Sequence, residues 1–108
     1  MSRGILATCY ARPATRGMTT ASLLALYREH YAGEPFVEVV DEPSGSKATS
    51  GSNAVHVTVR YDERTATVLA IAAEDNLVKG AAGQAIQNAN LLLGLPETRG
   101  LTAVGVAP

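Results

Sequence analysis

At 108 residues the chain suffices for one domain and no more, a size that buries roughly two thirds of its unfolded surface. Hydrophobic residues at 46% against 18% charged exclude an intrinsically disordered segment. Nine basic and ten acidic residues exclude a broad basic field for nucleic acid, and a single cysteine excludes an internal disulfide.

No apolar run approaches the roughly 18 residues of a membrane span, and no basic-then-apolar leader is present. With one cysteine, a reducing compartment is the natural setting, and the expectation is a soluble, cytoplasmic chain without membrane or nucleic-acid partners. Residues 4–11 (Gly-Ile-Leu-Ala-Thr-Cys-Tyr-Ala) read as a strand with no charge on either face, which predicts a central strand covered on both sides. Cys9 falls within it, away from any helix start or cationic cluster, and is expected to be a buried structural thiol.

Pro13 and Gly17 punctuate a loop over 12–18, after which Thr19 or Thr20 caps a helix to about Tyr31. Leu23, Leu26 and Tyr27 mark its apolar side, with His30 or Tyr31 completing it. Gly33 and Pro35 stop it. Residues 36–40 then form a short strand, and the strand-helix-strand spacing suggests a parallel pair with a right-handed crossover. His30, at the end of a helix, is read as structural.

Residues 41–53 make a thirteen-residue loop of small and polar side chains, above the usual length, so either mobile or functional. Residues 54–61 alternate cleanly, with Val55, Val57, Val59 and Tyr61 on one face and His56, Thr58 and Arg60 on the other. That is a half-exposed antiparallel strand, and His56 on its polar face suits a surface or subunit contact. Asp62-Glu63-Arg64 turns it, and residues 65–73 run back as a more fully buried strand.

The last long element is a helix over about 76–93. Asp75 and Asn76 supply capping oxygens at its start, while Gly94 and Pro96 end it. Val78, Ala82, Ala85, Ala89 and Leu92 form one apolar stripe. Gly80, Gly83, Gln87 and Asn90 form the opposite one, where each glycine costs about 1 kcal/mol against alanine. Close approach of a ligand, or tight packing against another backbone, would account for them. Residues 101–108 read as a short extended tail. The order β-α-β-β-β-α gives an α+β fold, a mixed four-stranded sheet with helices packed on it, in one domain over 1–108.

The run from Asp75 through Asn76-Leu77-Val78-Lys79-Gly80-Ala81-Ala82-Gly83-Gln84 to Asn90, with Gly94-Leu95-Pro96-Glu97 after it, resembles the C-terminal signature of N-acetyl-gamma-glutamyl-phosphate reductases. So do Arg3-Gly4-Ile5-Leu6-Ala7-Thr8, the run Tyr31 to Val37, and Gly51-Ser52-Asn53, all in the family's order. The shorter Asn-Leu-x-x-Gly-Ala-Ala pattern also occurs in aspartate-semialdehyde dehydrogenases, whereas Arg-Gly-Ile-Leu and Gly-Leu-Pro-Glu favour the arginine-biosynthetic family.

The resemblance implies a domain like the C-terminal one of glyceraldehyde-3-phosphate dehydrogenases, whose sheet often makes a homo-oligomer contact and whose last helix returns to the nucleotide-binding domain. It implies NADPH-dependent reduction of N-acetyl-glutamyl phosphate in the complete enzyme. Asn76, Lys79 and Gly80 are the candidate cofactor-binding residues, with a helix cap as the other reading of Asn76. Arg3 is the candidate substrate-binding residue, with an ion pair as its other reading. The family's Asn-Pro-Gly-Cys nucleophile motif and a Gly-x-Gly-x-x-Gly turn are absent, so no catalytic residue is assigned and no metal ligand is found. Met1 matches an internal position of the family pattern. The expectation is therefore a C-terminal fragment that is inactive alone, the alternative being a non-catalytic association module.

Overall fold

A computed structural model describes residues 3–106. Strand β1 spans Ile5–Ala11, helix α1 Thr20–His30, β2 Val37–Val39, β3 Val55–Asp62 and β4 Thr67–Glu74. A π-helical turn at Val78–Ala82 leads directly into α2, Gly83–Leu92. The four strands form one mixed sheet in the order β1-β4-β3-β2. β4 pairs antiparallel with both β1 and β3, and β2 pairs parallel with β3. This is the α+β arrangement the sequence predicts.

Helix α1 begins with a reciprocal cap. Thr19 Oγ1 accepts from the Ser22 N–H at 3.1 Å while Ser22 Oγ accepts from the Thr19 N–H at 3.0 Å. The helix lies over β3 and β2, and its Leu23 and Leu24 seal Val59 completely. Met18, Tyr27, Val39, Tyr61 and Val68 pack around that cluster.

The pairing corrects three expectations. Strand β1 is an edge strand and mostly exposed, because β4 alone pairs with it and α1 covers the other end of the sheet. Cys9 is accordingly exposed, and not a buried thiol. Strands β1 and β2 run in the same direction but occupy opposite edges, so the crossover passes over two strands and the two do not pair with each other. Uncharged side chains predict low polarity at a strand, but they do not say how many neighbours it acquires.

In the strand read as half-exposed, the Val55, Val57, Val59 and Tyr61 face is the one α1 covers. Its reverse, bearing His56, Thr58 and Arg60, is crossed by the 41–53 segment. Thr58 Oγ1 donates to the Asp41 carbonyl, His56 Nδ1 meets Ser44 Oγ at 2.8 Å, and Arg60 pairs with Glu42 at 2.9 Å. That segment is therefore ordered structure, with Thr49, Ser52 and Asn53 fully buried at its end. The uncovered part of the reverse face belongs to β1 and β4, where Leu6 is 52% and Tyr10 is 70% exposed. Strand β4, expected to be more fully buried, is half-buried along most of its length for the same reason.

The 76–93 element also differs. Its first turns carry i→i−5 bonds, Gly80 N–H to the Asp75 carbonyl at 2.9 Å and Ala82 N–H to the Leu77 carbonyl at 3.0 Å. Its packed side is the glycine-amide stripe, with Gly83, Gln87 and Asn90 buried. Ala82, Ala85, Ala89 and Leu92 of the apolar stripe are exposed, Leu92 at 87%. Its end is as expected: Gly94 takes a φ of +65°, and the Leu95 N–H returns to the Asn90 carbonyl at 2.8 Å. The tail runs back along the loop, the Thr102 carbonyl accepting from the Asn53 N–H at 2.7 Å. Residues 107 and 108 of the expected tail lie outside the described residues.

Candidate functional site

Four backbone segments meet where β1 begins and β4 ends, and Asp75 joins three of them. Its side chain is wholly buried. Oδ1 accepts from the Leu77 and Val78 N–H groups at 2.8 and 3.1 Å, so Asp75 caps the following helical turn. Oδ2 accepts from the Gly51 N–H at 2.6 Å and from Arg3 Nε and Nη2 at 3.0 and 2.8 Å. Burial alone would raise the pKa of this carboxyl. The bonds from Gly51, Leu77, Arg3 and Val78 outweigh burial and bring it down to about 2.

Asn76 takes no part in capping. Its Oδ1 accepts from the Gly4 N–H at 2.6 Å, which fixes the orientation of the amide because a backbone N–H only donates. The Asn76 Nδ2 group donates to nothing among the described residues and sits on a half-buried side chain. Arg3 spends two of its donors on Asp75, so the ion pair is what the structure places at that residue.

Gly80 follows on the π-helical turn with its backbone exposed. A Cβ there would stand 3.2 Å from Ile5 Cδ1 and 3.3 Å from Glu74 Oε1, a tight fit with the strand ends. Lys79 has other partners. Its Nζ donates to Gln87 Oε1 at 2.8 Å and stands 5.6 Å from the centre of the Phe36 ring. Burial lowers its pKa, against the opposing pull of Glu74, Glu97 and Glu34. The structure thus brings Arg3, Asn76 and Gly80 around Asp75 and turns Lys79 into a separate network.

That network was not assembled from the sequence. Gln87 Oε1 also accepts from Asn53 Nδ2 at 2.9 Å, and Gln87 Nε2 donates to Glu97 Oε1 at 2.6 Å. Asn90 Nδ2 holds the Glu97 and Arg99 carbonyls at 3.0 and 2.9 Å. Asn53 Oδ1 is buried without a hydrogen-bond partner, pressed against Gly83. Spacing had placed Gly83, Gln87 and Asn90 on one stripe; amides on the glycine side were the signal that this stripe packs. His30 and His56 stand outside both groups, His30 edge-on to Tyr31 and His56 beside Ser44 and Glu38.

The class defined by these features is a sheet-based α+β domain with a crossover helix on one face and an uncovered patch on the other. A family model described as "Semialdehyde dehydrogenase, dimerisation domain" matches residues 1–76, and the chain belongs to that family. Curated relatives named N-acetyl-gamma-glutamyl-phosphate reductase match along the whole chain. One from Thermus thermophilus is 55% identical over 108 residues, one from Frankia casuarinae 53% over 112, and one from Acidothermus cellulolyticus 52% over 110. The chain covers 31 to 32% of the length of these relatives.

Proposed function

We propose that this chain is the C-terminal portion of an N-acetyl-gamma-glutamyl-phosphate reductase, working with the two thirds of such an enzyme that lie outside it. The observation that carries this reading is identity above 50% along the whole chain to relatives of that name. The remainder would supply the nucleophile and the nucleotide fold, so the isolated chain is expected to be inert. The exposed stripe Ala82, Ala85, Ala89 and Leu92 would then pack against that remainder. The exposed Leu6 and Tyr10 patch, in a family described as a dimerisation domain, would meet a second copy.

NADPH supplies hydride in the proposed reaction, and Asn76 is the residue that would orient it. With its carbonyl oxygen held by Gly4, Asn76 keeps one amide N–H pair free, the donor that a nicotinamide carboxamide oxygen requires. The donor set fits that group. Asp75 fixes the backbone on which Asn76 stands, and Gly80 leaves the approach clear of a side chain. Holding the carboxamide sets the ring face presented to the substrate, so the contact bears on turnover as well as affinity. Lys79 would contribute positive charge through its amide-held ammonium. Arg3 retains its Nη1 group for a carboxylate or phosphate of N-acetyl-glutamyl phosphate.

In a complete reductase carrying this segment, Asn76→Asp preserves the acceptor for Gly4 and removes the donor. The expected result is a fall of about tenfold or more in kcat/KM for NADPH, the cost of one hydrogen bond to a buried polar group. Unchanged kcat/KM would reject the assignment.

A further inference from the structure

We propose that the hollow at the far end of β1, between the β1–α1 loop and the β3–β4 turn, binds a small multiply charged oxyanion, either a phosphate ester or a di- or tricarboxylate. This cavity has a volume of about 470 Å³, and its lining includes Arg12, Thr15, Arg16, Tyr61 and Ala66. No acidic residue lines it. A second hollow of about 260 Å³, lined by Tyr10, Ala11, Arg12 and Thr67, shares Arg12 with it.

Two unpaired guanidinium groups share this one hollow; Arg64 and Arg99 also lack an ion pair among the described residues but line neither hollow. Arg3, Arg28 and Arg60 each have a carboxylate partner, at 2.8, 2.7 and 2.9 Å. Arg12 and Arg16 have neither an ion pair nor a hydrogen bond among the described residues. Two unpaired guanidiniums around one concavity concentrate positive potential in a space of ligand size. Each presents a planar fork that matches two oxygens of a phosphate or carboxylate. The Thr15 hydroxyl adds a neutral donor.

The frame around them is fixed. Tyr61 is anchored by its N–H to Thr20 Oγ1 at 3.0 Å and by its place against the α1 core. Asp62, which follows Tyr61 in the chain, is occupied by the Arg64 N–H and the Thr65 hydroxyl within its own turn. Pro13, Ala14 and Ala66 give the cavity an apolar wall, which suits an anion with a carbon skeleton better than a bare ion. Strand β1 separates this place from Asn76: seven residues at roughly 3.3 Å each put the two about 20 Å apart. The proposal therefore stands or falls independently of the cofactor reading.

Calorimetric titration of the 108-residue chain with pyrophosphate and with citrate, at low and at physiological salt, tests it. The expected result is saturable one-to-one binding that weakens with salt, tighter for whichever of the two carries the favoured chemistry. Arg12→Ala and Arg16→Ala should each weaken it about tenfold or more, while Arg28→Ala, a paired arginine elsewhere, leaves it unchanged. Amide shifts on titrating the wild-type chain should cluster at 12, 14–17, 61 and 66, a readout that needs no variant. Absence of saturable binding at millimolar anion, shifts elsewhere, or equal loss with Arg28→Ala would overturn the proposal. So would self-association abolished by Arg12→Ala in a chain that binds neither anion, since the arginines would then serve a second copy.

Discussion

Two parts of this molecule are sealed from water by opposite means. Under α1, Leu23, Leu24 and Val59 exclude water with hydrocarbon. At the other end Thr49, Ser52, Asn53 and Asp75 are equally buried, and nearly every polar atom there is matched to a partner. The first region tolerates small shifts, because dispersion and the hydrophobic effect have no direction. The second does not, because each donor left unmatched costs about 1–3 kcal/mol. The candidate cofactor residues stand on the second, where geometry is held most strictly.

The sharpest break in the apolar region is Leu23→Ala. It removes a side chain that is 4% exposed and opens a cavity against Val59, so a loss of about 2–5 kcal/mol is expected in urea or thermal unfolding. A loss below about 1 kcal/mol would mean that α1 is not seated as described.

Legibility divides along the same line. Period-2 alternation in Val55, Val57, Val59 and Tyr61 found β3, and the Thr19 and Gly94 signals found the helix ends, because apolar periodicity and capping are local. Strand order was not legible: β1 carries a central strand's composition at an edge, since composition does not encode which strands pair. The polar region was harder still. Asn53, Gln87 and Glu97 lie far apart in the chain, so the glycine-amide stripe could be read as ligand-facing or packed without showing which segments it meets. The family motif located Asn76 and Gly80, but the role of Asp75 as the hub that carries them emerged only from the hydrogen bonds it accepts.

Asp75→Asn tests the polar region at its centre. An amide keeps one acceptor oxygen and turns two donors toward either Gly51 and Arg3 or Leu77 and Val78, leaving N–H groups face to face. The expected loss is roughly 3 kcal/mol at neutral pH, from two or more donors left unmatched. The acid response gives a second reading. The folded pKa of Asp75, about 2, lies below its ordinary 3.8. Its contribution is therefore complete above about pH 4 and is lost as the pH falls from there toward 2. Wild type should lose stability across that window and Asp75→Asn should lose less. Identical acid limbs would show that another carboxylate governs the transition.

The smallest expected effect is the most discriminating, because propensity and packing predict opposite signs. Gly83→Ala lies inside a helix, where alanine ordinarily gains about 1 kcal/mol over glycine. Here a Cβ would stand 2.7 Å from the Val78 carbonyl oxygen and 2.8 Å from Val78 Cγ1, and would overlap Asn53 Oδ1. The backbone atoms cannot yield without unwinding the π-helical turn, and Asn53 is held by Gln87. Overpacking of this kind costs about 1–3 kcal/mol, so a net loss of roughly 1–2 kcal/mol is expected. A double-mutant cycle with Asn53→Ala isolates the contact. Asn53→Ala alone forfeits the Gln87 bond, yet it also clears the oxygen from Gly83, so the paired losses should sum to more than the double variant shows. Strict additivity would mean that α2 does not close on the 49–53 segment. A gain from Gly83→Ala would mean that the glycine-amide stripe faces solvent and the apolar stripe faces the sheet.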